Sequence, residues 1–96
     1  MARWVRKTRI TAKGNVIDTE ATVVRLICTV ATTTAVIVWD ADTVGEETAA
    51  NEVWRSTATG MIVGAVQELE IPCADGIRVD PATGVVLVVY SNSPAV

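Results

Sequence analysis

The segment TVVRLICTV, residues 22–30, decides the fold of this chain. Apolar and mixed positions alternate along it, with Leu26 and Cys28 on one side and Arg25 on the other. Successive side chains of a β-strand point to opposite faces of a sheet, so this alternation predicts a strand. The run VVLVVY at residues 85–90 is nearly all apolar, which is typical of a strand covered on both faces.

The rest of the composition also favours strands. Valine, isoleucine and threonine supply 17, 7 and 13 of the 96 residues, and β-branched side chains suit a pleated sheet better than a helix. Turn residues recur between short apolar runs, most clearly in Asp80-Pro81-Ala82-Thr83-Gly84, where Asp80 can accept a backbone N–H and Gly84 tolerates positive φ.

The sequence therefore predicts one all-β domain, an antiparallel β-sandwich that is jelly-roll-like. We expect a basic N-terminal arm or edge strand at residues 1–13, the sandwich at 14–91 and a C-terminal tail at 92–96.

Several local features follow from the same pattern. Residues 22–30 and 35–40 are expected to pair as a hairpin, and residues 60–66 to form a strand. Gly14-Asn15 is predicted to be a turn, and residues 40–51 a long acidic loop.

The charges are unevenly distributed along the sequence. The first thirteen residues carry five bases and no carboxylate, whereas the remaining 83 carry all eleven carboxylates and three bases. One basic cluster on a chain with a pI near 4.7 disfavours nucleic acid as a partner. Two interpretations stay open: a solvated edge strand whose bases discourage aggregation, and an arm that docks onto an acidic surface of a neighbouring copy or a larger scaffold.

The residue types argue against an enzyme and predict no metal or cofactor. Histidine is absent, which removes the commonest general base and metal ligand, and no phosphate-binding glycine motif occurs. Glu68 and Glu70 share a predicted strand face and suggest a carboxylate-based hydrolase, but a solvated face is the favoured interpretation. The carboxylates of residues 40–47 do not fit an EF-hand, so a solvated loop is favoured over a calcium site.

The three tryptophans divide into two groups. Trp39 and Trp54 alternate with valines, which favours core packing over an exposed aromatic surface. Trp4 lies among the bases, and aromatic residues beside arginines often anchor protein–protein contacts.

The cysteines and the hydropathy profile predict a soluble protein made in the cytosol. Cys28 and Cys73 lie in apolar runs, which favours two buried thiols in a reducing compartment, although a bridge stays open. No signal peptide or membrane-length apolar segment is visible, so no membrane association is expected.

The strand pattern of residues 16–90 resembles small virion proteins of tailed phages. The resemblance is carried by IPCADGIRVD at residues 71–80, by TGVVLVVY at 83–90, and by the segments 23–28 and 35–40. It implies a β-sandwich that decorates or cements a capsid, or a tail or spike accessory, often as a homotrimer. It carries over no active-site residue.

From these observations we expect a non-enzymatic virion protein on the capsid surface, made in the host cytoplasm. Its partners would be further copies of itself, as a trimer, and the major capsid protein. A tail or spike module that binds a receptor or glycan is the alternative. The residues predicted to contact the partner are Arg3, Trp4, Arg6, Lys7 and Arg9. A chain lacking residues 1–13 is expected to fold and to lose this contact.

Overall fold

The structure, a computed structural model of the chain, describes residues 5–91. This part contains two short 3₁₀ turns, Val44–Glu46 and Ala49–Asn51, and eight β-strands. The strands are β1 (Arg6–Ile10), β2 (Gly14–Ile17), β3 (Ala21–Val30), β4 (Ile37–Asp40), β5 (Glu52–Arg55), β6 (Val66–Cys73), β7 (Ile77–Asp80) and β8 (Val85–Ser91). The predicted all-β class is confirmed.

The strands form two four-stranded sheets. The first sheet has the order β1-β8-β3-β6, the second has the order β2-β7-β4-β5, and all neighbouring strands are antiparallel. The pairs are nested along the chain: β1 with β8, β2 with β7, β3 with β6, and β4 with β5. The chain therefore crosses between the sheets at every connection except the one from β4 to β5.

The core lies between the two sheets, and valine is its commonest residue. Burying one valine, leucine or isoleucine side chain stabilises a fold by about 1.5–3 kcal/mol, so these residues hold the sheets together. Side chains with no measurable exposure come from both sheets: Val23, Leu26, Val86 and Val88 from the first, and Val38, Ile77 and Val79 from the second.

The predicted hairpin between residues 22–30 and 35–40 is wrong, because β3 and β4 lie in different sheets. The connection between them is held by the buried Thr32, whose backbone N–H donates to Met61 O at 2.9 Å. The Thr32 hydroxyl donates to Thr34 O and accepts from Met61 N at 2.8 Å. These bonds hold the connection at the end of the sandwich, where the chain passes from one sheet to the other.

Two other local predictions are also wrong. Gly14-Asn15 begins strand β2 and is not a turn. Residues 60–65 are not a strand, because Gly60 and Gly64 take φ values of +87° and +85°, which belong to turns. Strand β6 begins only at Val66.

The turn between β7 and β8 is where it was predicted, but its glycine has a different role. The Asp80 carboxylate accepts the N–H of Ala82 at 2.8 Å, as expected. Positive φ falls on Ala82, at 57°, and not on Gly84. A Cβ on Gly84 would lie 2.1 Å from Val30 O, so this position needs glycine because the backbone of the β3 end approaches so closely.

Candidate docking surface

Strand β1 places two bases on the outer face of the first sheet. Its register pairs Lys7 with Val89 and Arg9 with Leu87, and directly paired residues of antiparallel strands project from the same face. Ile10, one position further along, points the other way and is buried in the core. The basic segment is thus an edge strand anchored by its last residue.

We call the exposed bases of this strand, Arg6, Lys7 and Arg9, the cationic edge. Arg6 pairs with Tyr90, which places it on the opposite face from Lys7 and Arg9. The other two residues predicted to contact a partner, Arg3 and Trp4, lie outside the described residues.

Among residues 5–91, the cationic edge differs from the other bases because its side chains make no ion pair there. Between residues 5 and 91, every base outside the edge makes an ion pair: Lys13 and Arg78 with Glu47, Arg25 with Glu68, and Arg55 with Glu52. Within the same range, none of the three bases of the edge makes one. Three solvated positive charges therefore remain available along one sheet edge.

Apolar side chains lie beside these charges on the outer face. Leu87 of β8 is half-buried next to Arg9, and β3 continues the same row with the half-buried Ile27. Val89, beside Lys7, is only 7% exposed. Arginine is enriched at protein–protein interfaces, so Arg9 beside Leu87 and Ile27 fits a protein contact.

A second exposed surface, not predicted from the sequence, lies at the opposite edge of the same sheet. Val30, Ile62, Val63 and Val66 are 46%, 76%, 63% and 54% exposed, and we call them the apolar corner. Ile62 begins a turn that the N–H of Ala65 closes on Ile62 O at 3.1 Å. The sequence Ile62-Val63-Gly64, two apolar residues before a glycine, is compatible with such a turn. Because a strand is expected over residues 60–66, the sequence does not predict that these side chains are exposed.

The acidic loop after β4 is folded against the second sheet by a buried ion pair. Arg78 Nε donates to Glu47 Oε2 at 2.6 Å, and the two side chains are only 9% and 5% exposed. Lys13 Nζ lies 3.2 Å from the other Glu47 oxygen, and Arg78 also donates to Asn15 Oδ1. Glu47 is therefore held against the second sheet, whereas residues 43–45 and 48–50 of the loop are exposed, as the sequence predicts.

These partners also set the protonation of Glu47. Burial alone would raise the pKa of this carboxyl, but the hydrogen bonds and charges of Arg78 and Lys13 outweigh it and lower the pKa below its ordinary 4.5. Glu47 is thus an anion at neutral pH, as the ion pair requires.

Other carboxylates of the loop serve local structure. Asp40 accepts the N–H groups of Ala74 and Asp75 at 3.1 and 2.9 Å, and Glu46 accepts the N–H of Asp42 at 3.0 Å. In the part of the chain that the structure describes, no group of three acidic or sulfur side chains is placed to hold a metal ion. Outside the loop, Arg25 of β3 donates from Nε to Glu68 Oε1 of β6 at 2.9 Å.

The two described tryptophans occupy different environments. Trp54 is partly buried and packs against the core between the sheets. Trp39 is 8% exposed but lies outside that core, since its register pairs it with Arg78 on the outer face of the second sheet. Core packing is thus the role of Trp54, whereas Trp39 is buried on the side where the acidic loop folds over.

Both cysteines are buried free thiols. Cys28 Sγ donates to Val30 O at 3.2 Å. Burial, and secondarily the charge of Asp40, raises the pKa of Cys73 to about 12 from 9.0. Only the thiolate reacts with disulfides and alkylating agents, so Cys73 is expected to be inert in the folded protein.

We predict slow reaction of the native thiols with an aromatic disulfide reagent at pH 8. The raised pKa of Cys73 lowers its thiolate fraction about a thousandfold, and burial slows access further. Absorbance should show both thiols reacting at least about a hundredfold faster in urea than in the native protein. The variant Thr57→Cys, with an exposed thiol, should react at once. Rapid native reaction at two thiols would contradict this burial.

The fold places the chain among antiparallel β-sandwich proteins. Comparisons with known protein families, characterised proteins and solved structures find no match. Among residues 5–91, no helix has the length and apolar character needed to cross a membrane.

Proposed function

We propose that this protein is a structural virion protein that binds the outside of a phage capsid and cements or decorates it. The observation that carries the proposal is the cationic edge, whose bases are the only ones in the described residues without an ion pair. Unpaired charges on a rigid strand, beside half-buried apolar side chains, suit contact with an acidic protein surface.

The strand order supports the same proposal. Nested pairing from β1 with β8 to β4 with β5 is the connectivity of one long hairpin rolled into two sheets, which we interpret as a jelly roll. This architecture is frequent among viral capsid and lectin domains. Fold alone does not define function, so the order of strands adds weight only alongside the cationic edge.

The protein would stabilise the shell by binding several of its subunits at once, without catalysing a reaction. The acidic partner is the outer surface of the major capsid protein, and Lys7 and Arg9 would meet its carboxylates. Several copies held in one oligomer, a trimer by the resemblance to phage virion proteins, would contact several shell subunits at once. Linked weak contacts raise the overall affinity through effective concentration, so the affinity of each single contact can be low.

The location of the protein on particles tests this proposal. Gold-labelled antibody against the chain should decorate the heads of the virus that encodes it in electron micrographs. Label on tails or spikes would instead support the accessory or glycan-binding alternative. Both structural roles would be rejected if the particles carried no label and mass spectrometry detected the chain only as free protein in the same preparation.

A further inference from the structure

We propose that residues 43–51, which we call the flap, open as a unit when Glu47 loses its charge, while both sheets stay folded. The flap is the part of the acidic loop between Asp42 and the start of β5. It is held on the second sheet through Arg78 of β7, whereas the cationic edge belongs to the first sheet. The inference is therefore independent of capsid binding.

Glu47 is the residue that attaches the flap to the second sheet. Its carboxylate accepts from Arg78 Nε at 2.6 Å and lies 3.2 Å from Lys13 Nζ. Within residues 5–91, the other hydrogen bonds of the flap stay inside it or reach only its two ends, Asp42 and Glu52. The closed position thus depends on one side chain.

The flap buries no apolar side chain that would hold it closed. Neither of its 3₁₀ turns contains a buried residue, and residues 43–45 and 48–50 are exposed. Val44, its one large apolar residue, is 65% exposed. Segments with few buried apolar contacts open locally at low cost in free energy, so the ion pair of Glu47 decides whether the flap is closed.

Internal hydrogen bonds allow the flap to move as a unit. Thr48 N donates to Glu46 O at 2.9 Å, and Asn51 N donates to Thr48 O at 3.0 Å. The side chain of Asn51 also donates to Glu46 O at 2.9 Å. None of these bonds crosses to the sheets, so they can persist when the ion pair of Glu47 breaks.

Loss of the Glu47 charge favours opening because Arg78 lies beneath the flap. Arg78 is 7% exposed, and its guanidinium stays charged. When Glu47 is neutral, the remaining partner of Arg78 among the described residues is the amide of Asn15, and a buried charge without a counter-charge is strongly unfavourable. Opening admits water to Arg78 and to Trp39, which pairs with it and is 8% exposed.

A fall in pH removes this charge. Burial raises the pKa of Glu47, but the hydrogen bonds and charges of Arg78 and Lys13, the charged groups that face it, outweigh burial and lower the pKa below 4.5. The neighbouring Glu46 faces Asp42 instead, and its hydrogen bond with Asp42 raises its pKa above 4.5. The two carboxyls therefore lose their charges in separate pH ranges, and the flap should open only in the lower one.

Spin-label distances test the position of the flap. Labels on Val44→Cys in the flap and Thr57→Cys beyond β5 occupy exposed positions, and the two native thiols are buried. At pH 7 this labelled chain should give one narrow distance population. Adding Glu47→Gln should raise the population at longer distances at least about tenfold. The control Glu52→Gln removes one charge of the exposed pair with Arg55 and should leave the distances unchanged.

A pH series tests the role of the Glu47 charge. With Glu47 intact, the longer distances should appear only below pH 4.5, and Glu46→Gln should keep this transition. Glu47→Gln should remove the transition because this variant is open throughout. Amide exchange in β3 and β8 should stay slow in every open sample. Closed distances for Glu47→Gln at pH 7, or loss of amide protection in these strands together with opening, would overturn the flap.

Discussion

Arg78→Met is expected to lower the free energy of unfolding by about 3–5 kcal/mol, the usual cost of removing one partner of a buried ion pair. The substitution leaves Glu47, whose side chain is 5% exposed, without the guanidinium that compensates its charge. It also releases the link from β7 to Asn15 of β2. Total stabilities of domains are about 5–15 kcal/mol, so urea unfolding should show a much lower midpoint.

The matched control is Arg55→Met, which removes an exposed ion pair with Glu52. Arg55 is 54% exposed, and such pairs contribute about 0–1 kcal/mol. In the double variant Arg78→Met/Glu47→Gln, no unpaired charge remains buried, so part of the stability should return. Equal losses for Arg78→Met and Arg55→Met would show that the buried pair has no special role.

The pH dependence of stability should follow from the same pair. The pKa of Glu47 is lower in the folded protein than its ordinary 4.5. A group of this kind contributes fully above its unfolded pKa, and the contribution is lost as the pH falls through the lower folded pKa. Wild-type stability should therefore fall more steeply below pH 4.5 than that of Arg78→Met, as measured by urea midpoints across this range.

Removal of residues 1–13 is expected to prevent stable folding, contrary to what the sequence predicts. The deletion removes β1, which pairs with β8 along five residues, and it takes Ile10 out of the core. Loss of a buried isoleucine side chain alone costs about 2–5 kcal/mol, and the exposed backbone of β8 becomes a new sheet edge. Circular dichroism and gel filtration should show an unfolded or aggregated chain.

Charge substitutions on the same strand should have no such effect. Lys7→Gln/Arg9→Gln changes only exposed side chains on the outer face, and surface substitutions of this kind usually shift stability by less than about 0.5 kcal/mol. If the chain without residues 1–13 instead unfolded cooperatively at the same midpoint temperature as the wild type, β1 would not be required for folding.

The strands that carry strong local patterns could be predicted from the sequence. Alternation in residues 22–30 and the apolar run at 85–90 correspond to β3 and β8, the two central strands of the first sheet. The Asp80 turn was also predictable, since a side-chain carboxylate one residue before a proline stabilises this turn locally.

Features that depend on distant parts of the chain could not be predicted. Arg78 and Glu47 are 31 residues apart, and nothing local shows that the acidic loop folds back over β7. The hairpin expectation for β3 and β4 failed for the same reason, because sequence proximity does not reveal a crossing between sheets. The apolar corner required the two glycine turns at Gly60 and Gly64, whose positive φ values become evident only in the fold.

Binding to purified heads of the encoding virus tests the central claim most directly. Wild-type chain should pellet with heads to a saturable copy number, and Lys7→Gln/Arg9→Gln should bind at least about tenfold more weakly because the contact loses two charges. Arg55→Glu, which changes the net charge equally at the far edge of the second sheet, should bind like the wild type. Equal pelleting of all three proteins, or no pelleting of the wild type, would contradict docking through the cationic edge.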